Sequence, residues 1–190
     1  MEIKHDTRTI RTRKHLAQAM LKLLQSHSLE DINIVEICDK AQVHRTTFYN
    51  HFNDKYELFY YLFDEIKNEV FDKAIEAHPD SNSTEMYLQI AKNTLDFIDD
   101  NRQVFIQILQ HNKEEIVIGV FHESLERAIK FLLKQSGQPL GLPMEILASF
   151  YTGGFSSLAL LWLNNTNKYS KEEFLIFVKR LVTGRINNQG

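Results

Sequence analysis

Asn33-Ile-Val-Glu-Ile-Cys-Asp-Lys-Ala-Gln-Val-His-Arg-Thr-Thr-Phe-Tyr-Asn-His-Phe-Asn-Asp-Lys55 decides how the chain is read. Asn33 followed three residues later by Glu36 is a capping-box variant. The Asn side chain accepts from free backbone N–H groups, and the Glu reaches back to the start of the helix. Ile34, Ile37, Cys38 and Ala41 then line one face of a helix of two to three turns. Gln42–Val43–His44 forms a break, and Arg45 to Phe52 a second short helix. Ile34, Ile37, Ala41, Val43, Phe48 and Phe52 hold the two helices together across the turn. Arg45, Thr46, Thr47, Tyr49, Asn50 and His51 are left largely outside that core. These side chains suit base edges and phosphates: Arg for guanine, Thr for a thymine methyl, Tyr and His for phosphate oxygens. In a helix-turn-helix the second helix enters the major groove while the first crosses the backbone.

Outward from this stretch, helical periodicity runs nearly throughout. On the N-terminal side Ile10, Leu16, Ala17, Met20, Leu21, Leu23 and Leu24 form an apolar stripe that ends near Ser26–Ser28. On the C-terminal side Asn53–Asp54 caps a long helix bearing Leu58, Phe59, Leu62, Phe63, Ile66, Val70 and Phe71, which stops near His78–Pro79. Asp80 to Thr84 is polar enough for a linker. Further helices are expected over about Thr84–Asp99, Arg102–His111, Glu114–Gln135, Pro143–Asn165 and Lys171–Asn187, with Gly137–Pro143 the clearest loop. Few prolines and glycines favour long helices over many short strands. The expected architecture is all-α: a three-helix head and a larger helical bundle.

Charge supports this division without deciding it. Met1 to Lys55 carries nine Lys/Arg against seven Asp/Glu, a net of +2, so the remainder of this −3 chain nets −5. The tightest basic run is Lys4, Arg8, Arg11, Arg13 and Lys14, and a solvated helix start accounts for it as readily as DNA does. The same N-terminus is too charged for a secretory signal. Cys38 is the only cysteine, which excludes an intrachain disulfide and a cysteine-rich metal site and suits a cytoplasmic protein.

The quoted stretch resembles the tetracycline-repressor (TetR) family, whose usual pattern is Thr-Val-x-x-Ile-Ala-x-x-Ala-Gly-Val-Ser-x-x-Thr-Phe/Leu-Tyr-x-His-Phe, then Lys and Leu. The matches are Ile37, Ala41, Val43, Thr47, Phe48, Tyr49, His51, Phe52, Lys55 and Leu58. The resemblance is detailed over about Arg8 to Phe63 and only architectural beyond. It implies a DNA-binding domain over residues 6–66, with its helix-turn-helix at about 33–52, and an effector-binding and dimerisation domain over 67–190. It implies phosphate or base contacts by Thr47, Tyr49 and His51, and a phosphate contact by Lys55. Arg45 and Thr46 are the inferred base readers. The family's common mode implies a homodimeric repressor that leaves its double-stranded operator when a small-molecule effector binds. An activator, or a regulator acting through a protein partner, is the rival reading. Three departures stand out. Gln42 replaces glycine where a left-handed backbone is often wanted. Asn33 replaces Thr at a helix start, where Asn caps at least as well. His44 replaces Ser, a better cap, and could add a phosphate contact when protonated.

Other candidates carry less. Ile146 to Asn167 has no charged residue, but its central Ser, Thr and Gly residues and its polar end favour a buried interface helix over a membrane span. Pro143–Asn165 and Lys171–Asn187 are therefore expected to build the dimer, with Gly153–Gly154 allowing close approach. His111, His122 and Glu123 are scattered rather than spaced as metal ligands, so neither a metal nor a cofactor is expected. Cys38 reads as a packed thiol rather than a redox sensor. Phe59, Tyr60, Phe63, Phe97, Phe105, Phe121, Phe150, Tyr151 and Phe155 read mostly as core, a subset being candidates to line an effector pocket. No Ser/His/Asp arrangement, carboxylate pair or phosphate loop points to an enzyme.

Overall fold

The structure, a computed structural model, describes residues 7–77, 83–112, 114–136, 142–164 and 168–184. Among the described residues it is all-α. The helices run α1 (Thr7–Leu24), α2 (Ile34–Ala41), α3 (Arg45–Tyr49), α4 (Lys55–Ala77), α5 (Ser83–Asp100), α6 (Arg102–His111), α7 (Glu114–Ser136), α8 (Met144–Asn164) and α9 (Lys171–Thr183). The last helix stops earlier than its pattern suggests, at Gly184, whose φ of 63° supplies the left-handed cap. Of the expected linker and loop, Asp80–Asn82 and Gly137–Gly141 lie outside the described residues, as do Lys4 and Asn187.

The chain forms two compact units. The first contains Met1–Ile66 together with Gln103–Val120, the second Lys67–Arg102 together with Phe121–Gly190. In the first, α1 packs on α2 and α2 on α3. Leu16, Met20, Leu24, Ile37, Phe48 and Phe52 are almost wholly removed from water. Each side chain buried so contributes about 1.5–3 kcal/mol before entropy is subtracted. Ile10, expected in this stripe, is instead 41 % exposed, because it sits a turn and a half ahead of Leu16, beyond the packed part of α1.

In the second unit α5 packs on α8 and α9. Lys171, just inside α9, bridges Asp96 at 2.8 Å and Asp99 at 3.5 Å on α5. Arg102 pairs with Asp99 at 2.9 Å and lies 4.5 Å over the ring of buried Trp162. The Arg102 hydrogen bond is the main reason that the Asp99 carboxyl stays below the usual carboxylate range. Burial works against Asp96, but Lys171 and Lys92 hold it low as well. Helix α8 is long and apolar enough to cross a membrane by length and composition. It nevertheless buries Leu147, Ala148, Thr152, Phe155, Ser156, Ala159, Trp162 and Leu163 within this unit. Its opposite side is exposed among the described residues. Ile146, Phe150, Gly154, Ser157 and Leu161 recur at three- and four-residue steps and are exposed. Phe150, expected in the core, is 73 % exposed, and Tyr60 on α4 is exposed too.

Candidate nucleic-acid interface

The local geometry of α2 and α3 follows from three caps. At the first, Asn33 Oδ1 accepts from Glu36 N at 3.0 Å and Glu36 Oε2 accepts from Asn33 N at 2.9 Å, the reciprocal box that the sequence suggests. Asn33 thus spends its side-chain oxygen on its own helix. At the second, α2 ends on Gln42 with φ 55° and ψ 45°. Val43 N donates to Cys38 O at 3.0 Å and Gln42 N to Asp39 O at 3.2 Å. This is the Schellman pattern, with Gln in the left-handed position that glycine usually fills. A side chain there costs about 1–2 kcal/mol. At the third, Asp54 Oδ1 accepts from Glu57 N at 2.8 Å, while Glu57 Oε2 accepts from Asn53 N at 2.7 Å. That box fixes the first turn of α4, on which Lys55 stands.

Helix α3 is shorter than its pattern suggests, ending at Tyr49 rather than Phe52. The chain tightens there: His51 N donates to Phe48 O three residues back, while Phe52 N donates to the same oxygen four residues back, both at 2.9 Å. Phe48 and Phe52 are buried and packed ring to ring at 5.9 Å. These two rings point α3's other face outward. Arg45, Thr46 and Asn50 are exposed, Thr47 and His51 half-buried, and Tyr49 is 56 % exposed with its ring edge on Phe48. His44 is the α3 N-cap but makes no side-chain capping bond, so its imidazole is not committed to the helix start.

Lys55 is placed differently from the others. Its ammonium donates to Glu30 O at 2.7 Å and Ile32 O at 2.8 Å, clipping the loop ahead of α2. An ammonium has three N–H donors, and two are used here. The neighbouring Tyr56, unremarked in the sequence, is 48 % exposed, with Lys55 Nζ 5.5 Å from its ring centroid. Arg13, read in the sequence only as part of a basic run, packs between aromatic rings. Its guanidinium lies 4.8 Å from the Phe52 ring and 4.3 Å from the Tyr61 ring. The Tyr61 hydroxyl is pushed up to about 12, first by burial and then by Glu65. The stack joins α1, the end of the recognition segment and α4, and no local sequence pattern announces it. Cys38 is buried, and burial raises its thiol pKa. Among the described residues, no three of His, Cys, Asp and Glu gather as metal ligands would.

The exposed side of α3 thus offers Arg45, Thr46, Tyr49 and Asn50, backed by two buried aromatics. Residues 85–184 match a family model described as the transcriptional regulator C-terminal region of the TetR type. The chain belongs to the TetR family of transcriptional regulators. A TetR-family protein is a DNA-binding regulator and not an enzyme. A curated relative, the HTH-type dhaKLM operon transcriptional activator DhaS of Lactococcus lactis subsp. lactis (strain IL1403), is 26 % identical over 125 residues. That match covers 64 % of this chain and 63 % of the relative, less than two thirds of its length. Among solved structures, the fatty acid degradation regulator FadR of Bacillus halodurans shares the TetR fold at a TM-score of 0.64. It is 16 % identical, over 93 % of this chain and 96 % of its own. FadR of Bacillus subtilis in complex with stearoyl-CoA gives a TM-score of 0.59 at 13 % identity, over 89 % and 96 % of the two chains.

Proposed function

We propose that this TetR-family regulator is a cytoplasmic homodimer that reads operator DNA through α3, using residues 6–66 as its DNA-binding domain and 67–190 for dimerisation and effector binding. The observation that carries the reading is the outward face of α3, held out by buried Phe48 and Phe52. Arg45 and Thr46 read bases; Thr47, Tyr49, Asn50 and His51 contact bases or phosphates; and His44 adds a phosphate contact when protonated. Asn33 and Lys55 serve differently, Asn33 through its side-chain Nδ2, which the capping box does not use, and Lys55 through its third N–H. The dimer forms across the bare face of α8 and the exposed Ile176, Phe177 and Leu181 of α9. A two-fold axis lets such a surface bury itself against its own copy.

Repression relieved by a small molecule is the mode we assign. Three polar atoms on α8, Thr152 Oγ1, Ser156 Oγ and Trp162 Nε1, are buried without a hydrogen-bond partner. Such atoms cost about 1–3 kcal/mol each unless something satisfies them, and an effector with hydroxyl or carbonyl groups would do so. The buried polar side chains described are Thr94, Ser124, Thr152 and Ser156, all neutral hydroxyls, which favours an uncharged contact. Stearoyl-CoA, bound by the Bacillus subtilis relative, is a second effector class to try. An activator is the second reading, favoured by the DhaS relative's own role.

The test is to select bound sites from random DNA and measure affinity against salt. Specific binding whose logarithm falls with the logarithm of salt supports the reading, and failure to enrich any motif defeats it. Deleting the gene and measuring transcripts from the enriched sites then separates repressor, for which they rise, from activator, for which they fall.

A further inference from the structure

The loop between α1 and α2 is gripped from two directions. Within it, Ser28 O accepts from Asp31 N and Ile32 N, both at 3.2 Å, and Ser28 Oγ donates to Asp31 Oδ2 at 2.6 Å. Leu29 and Ile32 are buried at 3 % and 1 % exposure. The Leu29 N–H is directed outside the loop, to Asn112 Oδ1 at 2.6 Å, across 83 residues of sequence. Asn112 stands just past the end of α6, in the same compact unit as Leu29. Its amide nitrogen donates back to Ile108 O at 2.9 Å, which fixes which way the carboxamide faces. From the other direction Lys55 donates to the carbonyls of Glu30 and Ile32. Lys55 follows α3 by only a few residues, so its grip ties the loop to the recognition segment.

We propose that Asn112 is a positioning residue for DNA binding: its carboxamide oxygen holds the Ser28–Ile32 loop, and the Lys55 grip on that loop carries the constraint to α3. The inference rests on α3 being the DNA-reading helix. A dimeric regulator needs its two recognition helices at a fixed separation to meet successive major grooves. Two hydrogen-bonded steps, α6 to loop and loop to α4, fix α3 within each protomer. They add to the anchorage that buried Phe48 already gives α3.

The experiment uses the full-length chain and its variants Asn112→Leu and Asn112→Asp, with operator affinity, its salt dependence and amide hydrogen exchange as readouts. Leu matches Asn in size but offers no acceptor, whereas Asp keeps an oxygen for the Leu29 N–H. Asn112→Leu is expected to weaken operator binding about tenfold, with the salt slope unchanged because phosphate contacts are kept. The Leu29 amide loses its protection in that variant, and Asn112→Asp recovers part of both, since its carboxylate accepts from Leu29 N but gives up the bond to Ile108 O. Wild-type affinity in Asn112→Leu overturns the proposal, and so does an Asp variant as impaired as the Leu variant. Should Asn112→Leu fail to fold, exchange in the wild type still decides. A Leu29 amide exchanging as fast as an exposed loop amide overturns the proposal, and slow exchange upholds the tether. Arg45→Ala and Tyr49→Ala separate this from the underlying reading. If they leave affinity intact, α3 is not the reading helix; if they weaken it while Asn112→Leu does not, only the positioning role fails.

Discussion

The outer faces of α3 and α8 are both exposed among the described residues, yet they are made of opposite materials. Arg45, Thr46, Tyr49 and Asn50 are polar or amphipathic, and water serves them well until a partner arrives. Ile146, Phe150 and Leu161 are wholly apolar, and water serves them badly. Both faces have firm backing: Phe48 and Phe52 behind α3, Leu147, Phe155 and Trp162 behind α8. The contrast teaches that exposure alone does not identify a partner. A hydrated, cationic and hydroxylic face suits a charged ligand bound and released with salt, whereas a contiguous apolar face calls for lasting burial.

Placing a charge on the apolar face should do the most damage. Phe150→Glu or Leu161→Glu leaves the chain's own core alone and puts an unpaired carboxylate into the proposed subunit contact, at about 3–5 kcal/mol. Sedimentation should then read a monomer, with operator affinity collapsing alongside. A dimer that survives both substitutions breaks the comparison.

On the polar face the expected loss is smaller. Arg45→Ala should cost about 1–3 kcal/mol and shift preference at one operator position. Selection from random DNA that returns the wild-type motif would show that another face reads the bases. Lys55→Met sharpens the contrast, because Lys55 belongs partly to the interior. Losing two hydrogen bonds from a charged donor at this half-exposed site should lower stability by about 1–3 kcal/mol in thermal unfolding. Unchanged unfolding would return Lys55 wholly to the DNA-facing set.

The smallest effect has the opposite sign. Gln42→Gly relieves the left-handed strain at the helix-turn-helix turn and should stabilise the chain by about 1 kcal/mol in a denaturant titration, after glycine's extra chain entropy is counted. A destabilised variant would mean that the Gln42 side chain makes a contribution of its own.

Much of this was legible in the sequence, because the signals were local. The Asn33–Glu36 box, the strained Gln42 and the apolar spacing of Phe48 and Phe52 are each written within a few residues. The TetR resemblance of the head rests on that kind of information, whereas the family match itself lies over residues 85–184. What stayed hidden depends on distant residues meeting. The hydrogen bond from Leu29 to Asn112, the Arg13 stack between Phe52 and Tyr61, and the Lys55 clip have no periodicity to betray them. Phe150 was misjudged for a related reason: on a helix apolar nearly all round, spacing cannot tell the covered side from the bare one.

Trp162 is the chain's single tryptophan, buried in the second unit beneath the Arg102 guanidinium. Light absorbed at the red edge of the indole band therefore excites one known site and no tyrosine of the first unit. The protein carries its own optical label, confined to the part of the chain where Thr152 and Ser156 also lie. Emission from that label can follow events around α8 in real time while DNA stays dark, without adding any dye to the molecule.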